Sequence, residues 1–242
     1  MSRALIIKSA FTISLLVMLM AVPVYGASIN KSIKIDAGSE SDGATSVNGS
    51  ISVGDGATVS GSLKTVNGKI RVDGNSRIES AATVNGSLTI GENAETEDLT
   101  TVNGSIRVGE ASSVDGEIDA VNGRIKLEKG VTVTRGVGNV NGDIEFIASE
   151  VGGDVTTVNG DVDLRDAAVI KGDLVIEKPS TWSSDSKKQR IPEIVIGPGS
   201  EVQGSVVLER EVKLYISESA KVGGVEGVMS MSDAVRFSGD HP

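Results

Sequence analysis

Apolar residues recur along this chain with two nested periods. Four and six residues after a recurring valine stand Ile51 and Val53, Ile70 and Val72, Leu88 and Ile90, and Ile106 and Val108. The pair continues as Ile125 and Leu127, Ile144 and Phe146, and Val162 and Leu164. One polar residue between two apolar ones is the period-2 mark of a strand with one buried face. A third apolar position follows about twelve residues in, at Val59, Ile78, Val114, Val133 and Val169, and a fourth near sixteen, at Leu63, Ile118 and Leu174. Three short strands separated by Gly, Asn and Asp turns predict one coil with three sides.

The long period is carried by Val-Asn-Gly, which begins at Val47, Val66, Val84, Val102, Val121, Val140 and Val158, at spacings of 18 or 19 residues. A degenerate copy, Ile29-Asn30-Lys31-Ser32-Ile33, stands 18 residues before Val47. A repeat of this length predicts a solenoid, because one coil cannot bury its own apolar face. Five buried aliphatics offer about 1.5–3 kcal/mol each. Ordering the coil costs about 1–2 kcal/mol per residue. Neighbours above and below must supply the rest. Recurrent Gly and Asn-Gly, with no sustained 3.6-residue period after the N-terminus, argue against helices.

The expected organisation is a signal segment over 1–26, a single all-β solenoid over 27–225, and a C-terminal cap or loose tail over 226–242. Within the solenoid, Val-Asn-Gly coils occupy 29–175. A loop rich in Ser, Lys and Asp is extruded over 177–190, and two coils without Asn-Gly follow over 191–224. The signal reading rests on Arg3 and Lys8 before an apolar run from Ala10 to Val22, then Pro23 and Val24-Tyr25-Gly26 before Ala27. Small residues at −3 and −1 suit cleavage, and the run is short for a spanning helix. Location in the periplasm or at the cell surface is the expectation that follows. No later stretch is apolar enough to cross a membrane.

Stacking creates columns. Asn30, Asn48, Asn67, Asn85, Asn103, Asn122, Asn141 and Asn159 should share one corner, with Gly next to Asn adopting positive φ and the amides bonding from coil to coil. Four of them (Asn30, Asn48, Asn85 and Asn103) are also Asn-x-Ser sequons, as by-products of the repeat. The residues before the valines (Ser46, Thr65, Thr83, Thr101, Ala120, Asn139 and Thr157) should form an outward column. It invites comparison with ice-binding solenoids, but the second regular threonine column these need is missing. Ser52, Arg71, Thr89, Arg107, Lys126, Glu145 and Asp163 should form an outward, solvated face, basic in mid-stack and acidic towards its end.

Composition narrows the chemistry. Aromatics make up 2% and Gly 30 of 242 residues, so the core must be thin and aliphatic. The formal charge is −10, and loss of residues 1–26 removes Arg3 and Lys8 and no acid, giving −12. Such acidity argues against a nucleic-acid partner. There is no cysteine, hence no disulfide framework, and the single histidine is His241. That count excludes Ser-His-Asp and Cys-His catalysis and multi-histidine metal sites. Val53-Gly54-Asp55-Gly56 and Val72-Asp73-Gly74-Asn75 lack the Gly-Gly-x-Gly-x-Asp period of calcium β-rolls. No cofactor is expected. Acids such as Glu92, Glu95, Glu97, Asp98, Glu110, Asp115, Glu117 and Asp119 leave paired-carboxylate glycoside hydrolysis as one alternative. The extruded loop, with Trp182, Lys187, Lys188 and Arg190, is the candidate contact site, because loops carry function more often than scaffold. Its other reading is an indole folded back onto the solenoid.

Two stretches carry a resemblance. Val-Asn-Gly-Ser-Ile-x-Val-Gly, as in Val47 to Gly54 and Val102 to Gly109, is one. The other is Ile194-Val195-Ile196-Gly197-Pro198-Gly199-Ser200-Glu201-Val202-Gln203-Gly204-Ser205-Val206. Both resemble the bactofilins, bacterial polymer-forming β-helix proteins, and the chain is similar also to secreted adhesin-like repeat proteins. The likeness spans most of 28–225. It implies a right-handed three-sided β-helix that assembles end to end without nucleotide. Bactofilins usually act in the cytoplasm, so the signal segment shifts the expected role to scaffolding in the envelope. The expected function is a non-enzymatic, self-associating structural protein. An adhesin-like surface module and a carbohydrate-active β-helix enzyme are the alternatives.

Overall fold

The computed structural model describes residues 27–179 and 190–242. The signal segment, Trp182, Lys187 and Lys188 therefore lie outside the described residues. The chain is a parallel β-solenoid of about 10 turns of roughly 19 residues. Each turn lays three short strands. The first face is an 11-stranded ladder that includes Ile51–Val53, Ile70–Val72, Leu88–Ile90, Ile106–Val108 and Ile125–Leu127. The second is built from pairs such as Ser113–Val114 and Thr132–Val133, and the third from strands such as Ile118–Asn122 and Val137–Asn141. The second and third faces belong to one 17-stranded sheet, because Thr58–Thr65, Arg77–Asn85 and Glu201–Leu208 run through the corner between them. Register slips at that corner, between Val59 and Ser62 and between Val202 and Ser205.

Ladder register matches the repeat. Ile70 pairs with Ile51 and Leu88, and Ile125 with Ile106 and Ile144. The columns Val59–Ile78 and Leu99–Ile118–Val137 fill the other two sides. In the second-face column Val169 is only half-buried, and its neighbour Ile170 takes the inward place opposite Val151. Phe146 is the largest fully buried side chain.

The inward set is larger than the apolar pattern suggests. Ala57, Ser76, Ala94, Ser112, Val131, Ser149, Ala168 and Ser200 form a buried column at the corner between the first and second faces. Seven of these eight are Ala or Ser, and Val131 is the largest side chain in the column. Positive φ is found at this same corner, at Gly56, Asn75, Asn93, Ala111, Gly130, Ala148, Ala167 and Gly199. Of the seven Asn-Gly glycines only Gly142 has it. The expectation of positive φ after each Asn is thereby corrected. The Asn-Gly glycine is needed for close approach instead: a Cβ on Gly104 would lie 1.8 Å from the Gly86 carbonyl oxygen.

The interruption at 177–190 leaves the ladder intact. Val162 pairs directly with Ile194, and Leu174 with Val206, so the coil closes around the inserted segment. The coils without Asn-Gly continue through Lys213–Ser217 and Lys221–Gly227. Beyond them a 3-10 turn, Met231–Asp233, leads to a last strand, Val235–Phe237, paired in register with Tyr215 to Ser217.

Candidate functional site

The asparagine column is one continuous hydrogen-bonded ladder. Asn48 Nδ2 donates to Asn30 Oδ1 at 2.8 Å and Asn67 to Asn48 at 2.8 Å. Asn85, Asn103, Asn122, Asn141 and Asn159 each donate to the asparagine below at 2.9 Å. Every amide thus points its donor towards the N-terminal end. The acceptor left over at the top, Asn159 Oδ1, takes a 2.9 Å bond from Arg210.

Arg210 occupies the same column two coils higher. Thr157, Ile176 and Leu208 stack in one register, so Asn159, Lys178 and Arg210 follow them in step. The intervening rung, at Lys178, carries no asparagine. The long guanidinium spans that missing rung, also donating to Val158 O at 3.0 Å and Arg190 O at 2.9 Å. Burial lowers the Arg210 pKa from its usual range. Sequence reading did not find this residue. Its signal is positional: a basic side chain in the asparagine register beyond an insertion.

The column before the valines faces inward, which corrects the outward threonine array. Ser46, Thr65, Thr83, Thr101, Ala120, Asn139 and Thr157 are all buried. Thr65, Thr83 and Thr101 donate their hydroxyls to Gly49, Gly68 and Gly86 carbonyls at 2.8, 3.0 and 3.1 Å. Asn139 does the same with its amide, to Gly123 O at 2.8 Å and Gly142 O at 2.7 Å. Thr65, Thr83, Thr101 and Asn139 each tie the corner glycine of the coil below, so in those coils the corner device extends one residue before the valine. Any ice-binding use of this column falls with its orientation.

The charged face is organised in pairs. Lys126 Nζ lies 3.3 Å from Glu145 and 3.5 Å from Glu128, and Arg107 lies 2.6 Å from Glu128. Arg165 bridges Glu145 at 3.5 Å and Asp163, with Nε 2.6 Å from Asp163 Oδ2. The hydrogen bond to Asp163 raises the Arg165 pKa against the opposing effect of burial. Beside this network lies a shallow depression of about 240 Å³, lined by Arg124, Asp143, Glu145, Asp161, Asp163 and Arg165. Arg190, the one described residue of the four loop candidates, stands over it, paired with Asp161 and 4.0 Å from Asp143. The loop's root is thereby fastened to the first face.

Two of the acids weighed for catalysis, Asp98 and Glu95, serve a corner and an ion pair. Asp98 Oδ1 accepts the Glu117 N–H at 2.9 Å, and Glu95 pairs with Arg77. Asp154 and Asp173 make the equivalent bonds to Asp173 N and Ser205 N, at 2.9 and 2.8 Å. Among the described residues no group of three or more His, Asp or Glu is arranged to hold a metal ion. No helix among them is long and apolar enough to cross a membrane.

The C-terminal end differs from the rest of the surface. Val222 and Val225 continue columns whose members below, Val202 and Val206, are fully buried, yet both are only partly covered. Met229 and Ala234 are likewise partly covered, while Val228 is 59% and Val235 53% exposed. Asp233 closes the last turn, accepting the Ser230 N–H at 2.8 Å and hydroxyl at 2.9 Å, which holds its carboxyl below the usual range.

These features define a class, the parallel β-solenoid with an asparagine ladder. No protein-family profile, curated protein or solved structure matches the chain. The class therefore rests on the strand pairing itself.

Proposed function

We propose that this chain is a non-enzymatic structural scaffold of the cell envelope, exported by its N-terminal segment and assembled end to end from copies of itself. The observation that carries the reading is the C-terminal end, where Val222, Val225, Met229 and Ala234 are only partly covered. An uncovered end of a solenoid presents both apolar surface and unpaired strand edge, and each favours association with a like surface. The corner amides of the long sides are bonded in series, and part of the charge on the first face is paired within the chain. The resemblance to bactofilins supports end-to-end assembly without a cofactor, and the signal segment supports the periplasm or cell surface as the place of action.

Negative-stain electron microscopy of the full chain tests this. Ten coils at about 4.8 Å each make a rod about 50 Å long. Assembly end to end predicts rods in multiples of that length, growing with concentration. Uniform rods of one unit at every concentration would overturn the proposal.

A further inference from the structure

An asparagine followed by glycine is open to attack by its own backbone, because the glycine has no Cβ to block the approach. The glycine nitrogen loses its proton to water and bonds to the asparagine Cγ. The Cγ–Nδ2 bond breaks, and ammonia leaves behind a succinimide ring. Water then opens the ring at one of its two carbonyls, giving aspartate or isoaspartate. Nothing is oxidised or reduced, and water is the only co-reactant. The chain holds seven Asn-Gly dipeptides, one in each Val-Asn-Gly coil.

The fold does not hold all seven alike. Asn85, Asn103, Asn122 and Asn141 close the strands Arg77–Asn85, Asp98–Asn103, Ile118–Asn122 and Val137–Asn141, and pair with one another in register. In three of these coils the attacking nitrogen is engaged: Gly86, Gly104 and Gly123 donate to the Asn103, Asn122 and Asn141 carbonyls at 3.1, 3.0 and 2.9 Å. Among the described residues, the N–H groups of Gly49, Gly68, Gly142 and Gly160 donate to no partner. Asn48, Asn67 and Asn159 also lie beyond their strands, which end at Ser46, Thr65 and Thr157.

Asn159 differs from Asn48 and Asn67 in what holds its amide oxygen. Theirs accept a neutral amide from the asparagine above, whereas Asn159 Oδ1 accepts the Arg210 guanidinium at 2.9 Å. Attack at Cγ drives negative charge onto that oxygen, and a fixed cationic donor lowers the cost of forming it. The Gly160 peptide is also loosely tied. Register sets Ile176 over Thr157, so no hydroxyl reaches the Gly160 carbonyl as Thr65 reaches that of Gly49. Asn159 is exposed, which admits the water that opens the ring. We propose that Asn159-Gly160 is a site of spontaneous deamidation at the top of the ladder, with Arg210 stabilising the oxygen during attack and pairing with the aspartate that forms. Aspartate here exchanges a neutral hydrogen bond to Arg210 for a charge-assisted one. The change runs one way, so its extent records the age of the folded molecule.

The full chain, folded or unfolded in urea, is incubated in mildly alkaline buffer and mapped by mass spectrometry with fragmentation that separates aspartate from isoaspartate. Val-Asn-Gly is common to all seven sites, so in urea they should react alike. In the folded chain Asn159 should react roughly two- to tenfold faster than Asn85, Asn103 and Asn122, the factor that one net hydrogen bond is worth. It should also outpace Asn48 and Asn67. Arg210→Lys should keep Asn159 fast and Arg210→Gln should slow it to the rate of Asn48; a rate raised alike in both would overturn the role of Arg210 in the attack. Asn159→Asp, which supplies the product directly, should melt above Asn103→Asp, because it alone gains a cationic partner. Equal melting would overturn the pairing with Arg210. Asn159 reacting no faster than the three bonded sites of the folded chain, or staying intact while all seven react in urea, would overturn the proposal.

Discussion

The asparagine ladder has a direction, and the direction can be tested with one atom. Asn103 donates to Asn85 and accepts from Asn122, both at 2.9 Å. Asn103→Ala removes both bonds, worth about 0.5–1.5 kcal/mol each, or about 1–3 kcal/mol in all. Asn103→Asp keeps the acceptor but sets a carboxylate oxygen where the amide donated, against Asn85 Oδ1. At neutral pH the aspartate should therefore destabilise at least as much as the alanine, although it is the closer shape. A protonated carboxyl donates where the amide did, so the fold favours the neutral form and raises the carboxyl's pKa above its unfolded value. The sign follows: stability is retained below the unfolded pKa and lost as pH rises through the folded one. Asn30 is the control, since within the described ladder it only accepts. Asn30→Asp should shift stability by less than about 0.5 kcal/mol. Thermal melts at pH 3 and pH 7 read the difference, about 2–4 °C per kcal/mol for a chain of this size. Equal losses for Asn30→Asp and Asn103→Asp, or an Asn103→Asp deficit unchanged in acid, would refute the directional ladder.

Three further expectations follow from the same corners. Gly104→Ala sets a Cβ 1.8 Å from Gly86 O and 2.5 Å from its carbon, so the corner must open. A loss at or above the usual overpacking cost of about 1–3 kcal/mol is expected in urea titration, and an unchanged midpoint would contradict it. Arg210→Ala removes three bonds that close the ladder and hold the Arg190 carbonyl. Limited proteolysis within 177–190 should quicken several-fold, while the protected fragment of the lower coils should survive unchanged. Thr65→Val should cost about 1 kcal/mol by leaving the Gly49 carbonyl without its 2.8 Å donor. Thr157→Val should be neutral or stabilising, because the Thr157 hydroxyl is buried with no bonding partner.

Much of this architecture is written in the repeat. The Ile-x-Val pairs set the first face, and their spacing set the coil, since each register pairing joins residues one motif apart. The asparagine ladder was legible for the same reason: identical residues at a fixed period must stack. What escaped was orientation at the corners. Thr65 and Thr101 read as surface residues, because a hydroxyl just before a Val-Asn-Gly turn looks polar. Their burial depends on a carbonyl from another coil that sequence alone does not place. The positive-φ corner was hidden because its column holds Gly56, Asn75, Ala111 and Ala148 in turn, with no constant residue type to mark it. Arg210 was hidden by the insertion, which shifts its position out of the visible period.

Sedimentation velocity of the full chain over a hundredfold range of concentration tests the central claim most directly. Assembly through the ends predicts a sedimentation coefficient that rises with concentration, accompanied by a rising frictional ratio as the rods lengthen. A single monomeric species, constant in both quantities across the range, would contradict the account.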